Sequence, residues 1–259
     1  MENFQMTYTI LASDMDTSYH ITPNAIMTYF QDCFARFLSS RRVAAFDIVK
    51  QNLIWVISEL ELKFKRERPL WSSDITVKVN FKAITSIRMY VDYSICADNG
   101  EAFAEGTSTW VIINQETKRP FSPKELLMEA GIVASSTLEH RELPYDNSSK
   151  QYLRQVEHCV NVTDLDFNGH VCNRTYMSIS MATLPIEFSQ TYIPDYIHIK
   201  FVRESFFGET LQCRISKGHD LEYWFDIVNE KGKEICDIYT NWKDGREELS
   251  QDVSEMVKR

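Results

Sequence analysis

The sequence predicts an α+β protein built from two copies of one unit, each a long helix wrapped by a curled antiparallel sheet. Three observations carry this prediction. The chain repeats itself in three places, each copy holds one stretch with helical spacing, and each copy continues into four strand-like runs. The longest match lays Ser13–Phe30 (SDMDTSYHITPNAIMTYF) over Thr163–Ser180 (TDLDFNGHVCNRTYMSIS) at an offset of 150, so that Asp14, Asp16 and His20 meet Asp164, Asp166 and His170. Glu61–Glu67 (ELKFKRE) lies over His198–Glu204 (HIKFVRE) at an offset of 137, and Asp98–Trp110 lies over Glu230–Trp242 at an offset of 132. Repeats in one order with a falling offset describe two homologous halves, the first carrying extra residues after its helix.

Each half opens with a short strand, near Met6–Ser13 and near Gln155–Thr163, that runs into the D-x-D segment. A helix follows. In the first half Ile26, Phe30, Phe34 and Phe37 share one face, with Cys33 beside them, at spacings of three and four. Pro23 suits a first-turn position, where its missing N–H costs nothing. The second helix starts near Asn173 and stops before Pro185. The strand runs of the first half are LIWVISELELKFKRE, DITVKVNFKA, RMYVDYSICA and AFAEGTSTWVIIN; those of the second are DYIHIKFVRE, TLQCRISK, LEYWFDIVN and EICDIYTNW. Asn99-Gly100 and Lys231-Gly232 stand where hairpin turns are required. The polar stretch Leu138–Gln151 reads as a linker, which gives an N-terminal domain over 1–137, a linker over 138–151 and a C-terminal domain over 152–259.

Composition narrows the function. Of 259 residues 44% are hydrophobic and 25% charged, as in a soluble globular protein. A net charge of −9 argues against nucleic acid as a partner, because phosphate neutralisation needs a basic surface. No apolar run reaches the roughly 18 residues of a membrane span. The start of the sequence reads neither as a secretory signal nor as a transit peptide. The six cysteines form no CxxC pair, so reduced thiols in a cytoplasmic protein are expected and no structural zinc site.

The segment TDLDFNGHVCNRTY has the opening spacing of a calcium loop, but the bidentate carboxylate needed at position 12 is Thr175. The calcium reading is rejected. Comparing the copies is more informative. Asp14 and Asp16 match Asp164 and Asp166, which assigns the aspartates partly to capping the following helix. Asn168 and Gly169 become Ser18 and Tyr19 in the first half. The polar set Asp166, Asn168 and His170 is complete in one copy only.

DLDFNGHVCNRTY followed by IKFVRES resembles the fatty acyl-acyl-carrier-protein thioesterases, double-hotdog enzymes of plant plastids and many bacteria. The resemblance spans Tyr8 to about Trp242. It implies two tandem hotdog domains, the first holding the acyl chain and the second catalytic. It places the family's catalytic Asp, Asn, His and Glu on Asp166, Asn168, His170 and Glu204. Plant members often carry a cysteine after the glutamate; here Ser205 stands there, against an obligatory thiol mechanism. Cys172 replaces the first of two asparagines in the plant pattern. The resemblance further implies hydrolysis of fatty acyl-acyl carrier protein (ACP) to free fatty acid and ACP, no cofactor or metal, and a bacterial-type cytoplasmic enzyme.

Thioester hydrolysis needs an activated water and a place for an oxyanion. Glu204 is the candidate general base, with His170 orienting water or base and Asp166 fixing the polar groups. Asn168 offers an amide donor, and the backbone N–H groups of Gly169 to Cys172 are candidate oxyanion donors. Direct attack by the carboxylate to give an anhydride is open as well. Phe30 and Phe34 are candidate acyl-chain contacts, against the default that such a stripe is core. Arg174 is the basic residue nearest the catalytic segment. For an acidic carrier the candidate docking charges are Arg41 with Arg42, and Lys63, Lys65, Arg66 and Arg68 read as one strand. An acyl-CoA thioesterase and a non-hydrolytic acyl-binding or dehydratase-type hotdog are the alternatives. Further homodimerisation is left open.

Overall fold

The computed structural model describes residues 4–132 and 151–246, so the predicted linker over 138–151 lies outside the described residues apart from Gln151. Two compact units result. The first draws on Met1–Leu11 and Ile26–Pro144, the second on Ala12–Ala25 and Tyr145–Arg259. The D-x-D segment of the first copy thus groups with the second unit, which the sequence did not disclose.

In the first unit the strands β1 (Phe4–Thr9), β2 (Leu53–Phe64), β3 (Asp74–Ile84), β4 (Met89–Cys96) and β5 (Ala102–Asn114) form an antiparallel sheet in the order β1-β3-β4-β5-β2, and the two-residue β6 (Pro120–Phe121) adds to β5. Alternation along β3 sends Ile75, Val77, Val79, Phe81 and Ala83 to the buried face. Helix α1 (Pro23–Ser40) lays its predicted stripe on that face. Phe30 stacks on Tyr93 with centroids 4.6 Å apart, and Phe34 packs against Trp55, Phe81 and Trp110. Phe30 is 0% exposed and Phe34 2%. The close approach depends on Gly106, where a Cβ would lie 2.7 Å from Phe30 Cε2 and 2.5 Å from the Glu61 carbonyl oxygen. The short helices α2 (Ala45–Ile48) and α3 (Pro123–Glu129) were not foreseen, since one or two turns are too few to display a period.

The second unit repeats this plan. The strands β7 (Tyr152–Cys159), β8 (Tyr192–Phe201), β9 (Thr210–Lys217), β10 (Glu222–Asn229) and β11 (Glu234–Asp244) run antiparallel in the order β7-β9-β10-β11-β8. Helix α4 (Asn173–Met181) has 9 residues against the 18 of α1, and a further turn, α5 (Ile186–Ser189), follows Pro185. Each unit is a hotdog, a helix wrapped by a curled antiparallel sheet, and the repeat extends to single bonds. Trp110 Nε1 donates to Ser108 Oγ at 2.6 Å, and Trp242 Nε1 to Thr240 Oγ1 at 2.7 Å. Gly100 and Gly232 take φ of +80° and +70° at equivalent hairpin turns, where a side chain would be strained.

Some boundaries differ from the sequence reading. The opening strands stop at Thr9 and Cys159, and each is followed by a 3-10 turn, Ala12–Asp14 and Val162–Asp164, because the D-x-D aspartates draw the chain into a turn. Strand β2 ends at Phe64, so Lys65, Arg66 and Arg68 do not continue it. Lys65 pairs with Glu105, Arg66 Nη1 lies 2.7 Å from Glu101 Oε2, and Arg68 is buried. The group therefore does not lie along one strand, but Lys63, Lys65 and Arg66 are exposed, so three of its four charges remain at the surface.

The Phe30 packing gives a stability test. Phe30→Ala should lower the unfolding free energy by about 3–5 kcal/mol, the range for deleting a buried aromatic ring. Gly106→Ala should cost about 1–3 kcal/mol through forced displacement of that ring. Denaturant unfolding monitored by tryptophan fluorescence measures both.

Candidate active site

Each predicted catalytic side chain is delivered by a turn, and its bonds can be traced from β7 onward. Asn161 starts the 3-10 turn by accepting from the Thr163 amide at 2.9 Å. The Asp164 carboxylate gathers three partners on Oδ2: the Asn161 amide, Asn161 Nδ2 and His158 Nε2, each at 2.8 Å. The Asp164 carbonyl then accepts from the Cys172 amide at 2.7 Å, closing the loop that carries the motif. Asp164 is thus a turn residue; the expected capping of the following helix by the aspartate side chains is not found, since α4 has Cys172 at its N-cap with no side-chain cap bond.

Inside that loop Asp166 makes a tight turn on itself. Its Oδ1 accepts from the amides of Asn168 (2.8 Å) and His170 (3.2 Å), and its carbonyl accepts from the Gly169 amide at 3.1 Å. Gly169 sits at φ +77°. The first copy builds the same turn. Asp16 Oδ1 accepts from Ser18 (2.9 Å) and His20 (3.1 Å), the Asp16 carbonyl accepts from Tyr19 at 3.1 Å, and Tyr19 takes φ +64°. An aspartate doing one job in both copies is a scaffold in both. Asp166 therefore positions, and its Oδ2 faces Asn168 Nδ2 at 3.4 Å.

Glu204 lies beyond the end of β8, on the loop after it rather than on the strand itself. The exit is again duplicated. The amides of Val202 and Arg203 both point to the Ile235 carbonyl, as those of Lys65 and Arg66 point to Phe103. The loop is tied to the motif turn by the Val171 amide donating to the Ser205 carbonyl at 2.9 Å and by a β-bridge between His170 and Phe206. The result sets His170 Nδ1 3.6 Å from Glu204 Oε1, with side chains 25% and 42% exposed. Asp166, Asn168, His170 and Glu204 are thus gathered within one unit.

One sequence expectation fails. The amides of Gly169, His170, Val171 and Cys172 are all engaged, by the Asp166 carbonyl, Asp166 Oδ1, the Ser205 carbonyl and the Asp164 carbonyl. A developing oxyanion finds no donor among them. The Thr175 amide is likewise taken, by the Cys172 carbonyl at 2.8 Å. Asn168 Nδ2, whose second N–H is not used by Asp166, and the Asn173 and Arg174 amides, which have no carbonyl one turn earlier within α4, are the candidate donors. Ser205 is fully buried beside Tyr176, whose phenol is held well above its ordinary pKa, chiefly by burial and further by the Glu204 and Glu209 carboxylates, with the Ser205 contact opposing. Cys172 is half-buried at the N-cap of α4, and Arg174, two residues on in the first turn, is exposed. Phe30 and Phe34 belong to the first unit's core. His158, Asn161 and Phe206 were missed from sequence, though the repeat marks them: their counterparts are Tyr8, Leu11 and Pro69.

The duplicated turn supplies its own control. Asp16→Ala and Asp166→Ala should each cost about 1–2 kcal/mol, the scale of a lost cap, and only the second should reduce turnover beyond its stability effect. Gly169→Ala should fold and lose about 1 kcal/mol or somewhat more, because a Cβ there meets nothing within 4 Å and the left-handed backbone alone is penalised. Thermal unfolding with parallel activity assays reads all three.

The chain matches two family profiles, "Acyl-ACP thioesterase N-terminal domain" over residues 1–129 and "Acyl-ACP thioesterase C-terminal domain" over residues 147–244. It is 24% identical over 212 residues to a chloroplastic acyl-[acyl-carrier-protein] hydrolase of Cuphea viscosissima, covering 75% of this chain and 49% of that protein. It is 26% identical over 167 residues to a chloroplastic oleoyl-acyl carrier protein thioesterase of Arabidopsis thaliana, covering 60% and 45%. The chain thus spans about half the length of these curated relatives. In fold it resembles an acyl-ACP thioesterase of Bacteroides thetaiotaomicron, with a TM-score of 0.82, 18% identity and 93% and 98% of the two chains covered. A 12:0-ACP thioesterase of Umbellularia californica gives 0.81, 19%, 93% and 97%. With both halves matched in order, and with the fold and duplicated turn these halves predict, the chain belongs to the acyl-ACP thioesterase family.

Proposed function

We propose that the protein hydrolyses the thioester of fatty acyl-ACP, releasing free fatty acid and ACP and so ending chain synthesis. The observation that carries this reading is the approach of His170 Nδ1 to Glu204 Oε1, 3.6 Å apart, in the one copy that retains the full polar set. In this reading Glu204 takes a proton from water as the water's oxygen attacks the thioester carbonyl. Asn168 Nδ2 and the Asn173 and Arg174 amides at the start of α4 donate to the oxyanion as it forms. Collapse of the tetrahedral intermediate breaks the C–S bond, and the proton goes on to the carrier's departing sulfur. His170 orients Glu204 and stabilises its charge, and Asp166 holds the turn in register.

ACP is the proposed partner and the cytoplasm the proposed compartment. All six cysteines are free thiols, which supports a reducing environment. Among the described residues no helix is long and apolar enough to cross a membrane. The family membership supports ACP over coenzyme A as the acyl carrier. A silent acyl-binding role is disfavoured because Glu204 and His170 retain partial exposure and face each other.

Thiol release from a panel of acyl-ACP and acyl-CoA substrates tests the reading. Acyl-ACP should be hydrolysed with the higher kcat/KM, whereas no turnover, or preference for acyl-CoA, would overturn it. His170→Ala and Glu204→Gln should each lower kcat about 100-fold or more. Ser205→Ala should retain most activity, since a hydroxyl with no solvent access cannot reach a substrate carbonyl. An inactive Ser205→Ala beside an active Glu204→Gln would install serine as the nucleophile instead.

A further inference from the structure

His170 is placed by more than its own turn. The phenyl ring of Phe206 stands perpendicular to the imidazole, with centroids 5.1 Å apart and planes at 89°. The two residues also face each other across the β-bridge that ties the motif turn to the Glu204 loop, so the ring is delivered by the same backbone that delivers the general base. The Phe206 amide points to Glu209 Oε2 at 3.3 Å, which fixes the loop on its other side. Phe206 is 46% exposed, so its ring meets the imidazole at the partly solvated edge of the site rather than in the core. The corresponding position of the first copy is Pro69, and that copy lacks the full polar set.

Resting on the reading of His170 and Glu204 given above, we propose that Phe206 is a positioning residue, holding the imidazole by an edge-to-face contact so that Nδ1 faces Glu204. An imidazole rotated about its Cβ–Cγ bond out of this plane carries Nδ1 away from the carboxylate; the half-turn that keeps the plane is opposed by Glu204 itself, which would then face a carbon. Two perpendicular rings at this separation have a preferred geometry, set by the positive edge of one and the negative face of the other. Removing the aromatic face removes that preference without removing either catalytic group. The cost appears in the chemical step, where small misplacements are severe, and leaves substrate binding nearly unchanged.

Two measurements on the full chain test this. Phe206→Leu should lower kcat for acyl-ACP about tenfold with KM within about twofold of wild type. Phe206→Tyr, which keeps the ring, should return kcat to within about threefold, and Phe207→Leu, at the more exposed neighbour, should leave both constants unchanged. In parallel, the imidazole C–H resonances of His170, assigned by their loss in His170→Ala, should carry a ring-current shift that vanishes in Phe206→Leu and persists in Phe207→Leu. Wild-type kcat in Phe206→Leu, a loss confined to KM, failure of Phe206→Tyr to restore turnover, or a His170 signal indifferent to Phe206→Leu would each overturn the proposal. If the wild type does not turn over acyl-ACP at all, the functional reading fails, while the resonance shift still decides whether Phe206 orients the ring.

Discussion

The placement of His170 against Glu204 rests on the hydrogen bond from the Val171 amide to the Ser205 carbonyl, 2.9 Å long. His170 and Glu204 come from segments on either side of helix α4, and neither segment reaches the other through its own local structure. The bond and the adjoining His170–Phe206 bridge make one ladder of the two loops. Along that ladder the imidazole and the carboxylate are neighbours because the backbone is paired, so no ion pair has to pull them together. A 3.6 Å separation with both groups partly solvated suits a pair that must keep a proton mobile.

Duplication makes the scaffold and the function separable within one molecule. The turn on Asp16 and the turn on Asp166 agree in every bond compared, including a left-handed residue at the same place, a tyrosine in one copy and a glycine in the other. In the second copy His158 and Asn161 hold the Asp164 carboxylate; the first copy has Tyr8 and Leu11 at those two positions. The buried first-unit core serves a different end, with Phe30 seated against Gly106 in a packing too close for any Cβ.

Much of this was legible in the sequence. The constant offsets gave two units, the spacing of Ile26, Phe30, Phe34 and Phe37 gave the helix and its buried face, and alternation gave strands such as β3. Within the proposed set, comparison of the copies singles out Asn168, which becomes Ser18, whereas Asp166, His170 and Glu204 have the counterparts Asp16, His20 and Glu67. The rest depended on bonds between segments distant in sequence. Periodicity could not show that β2 and β8 end before their glutamates, because the exit is set by amides pointing at the Phe103 and Ile235 carbonyls. Nor could it show that the amides of Gly169 to Cys172 are all spent on the turn. The assignment of Ala12–Ala25 to the second unit likewise follows from tertiary contacts alone.

The claim that His170 and Glu204 act as one unit is tested most directly by a double-mutant cycle on kcat with acyl-ACP, comparing His170→Ala, Glu204→Gln and the double variant. Groups that work through each other lose their contribution together, so the double variant should be no slower than the slower single variant, within about threefold. Losses that multiply across the two sites would show that histidine and glutamate act independently, and would contradict the paired geometry as the basis of catalysis.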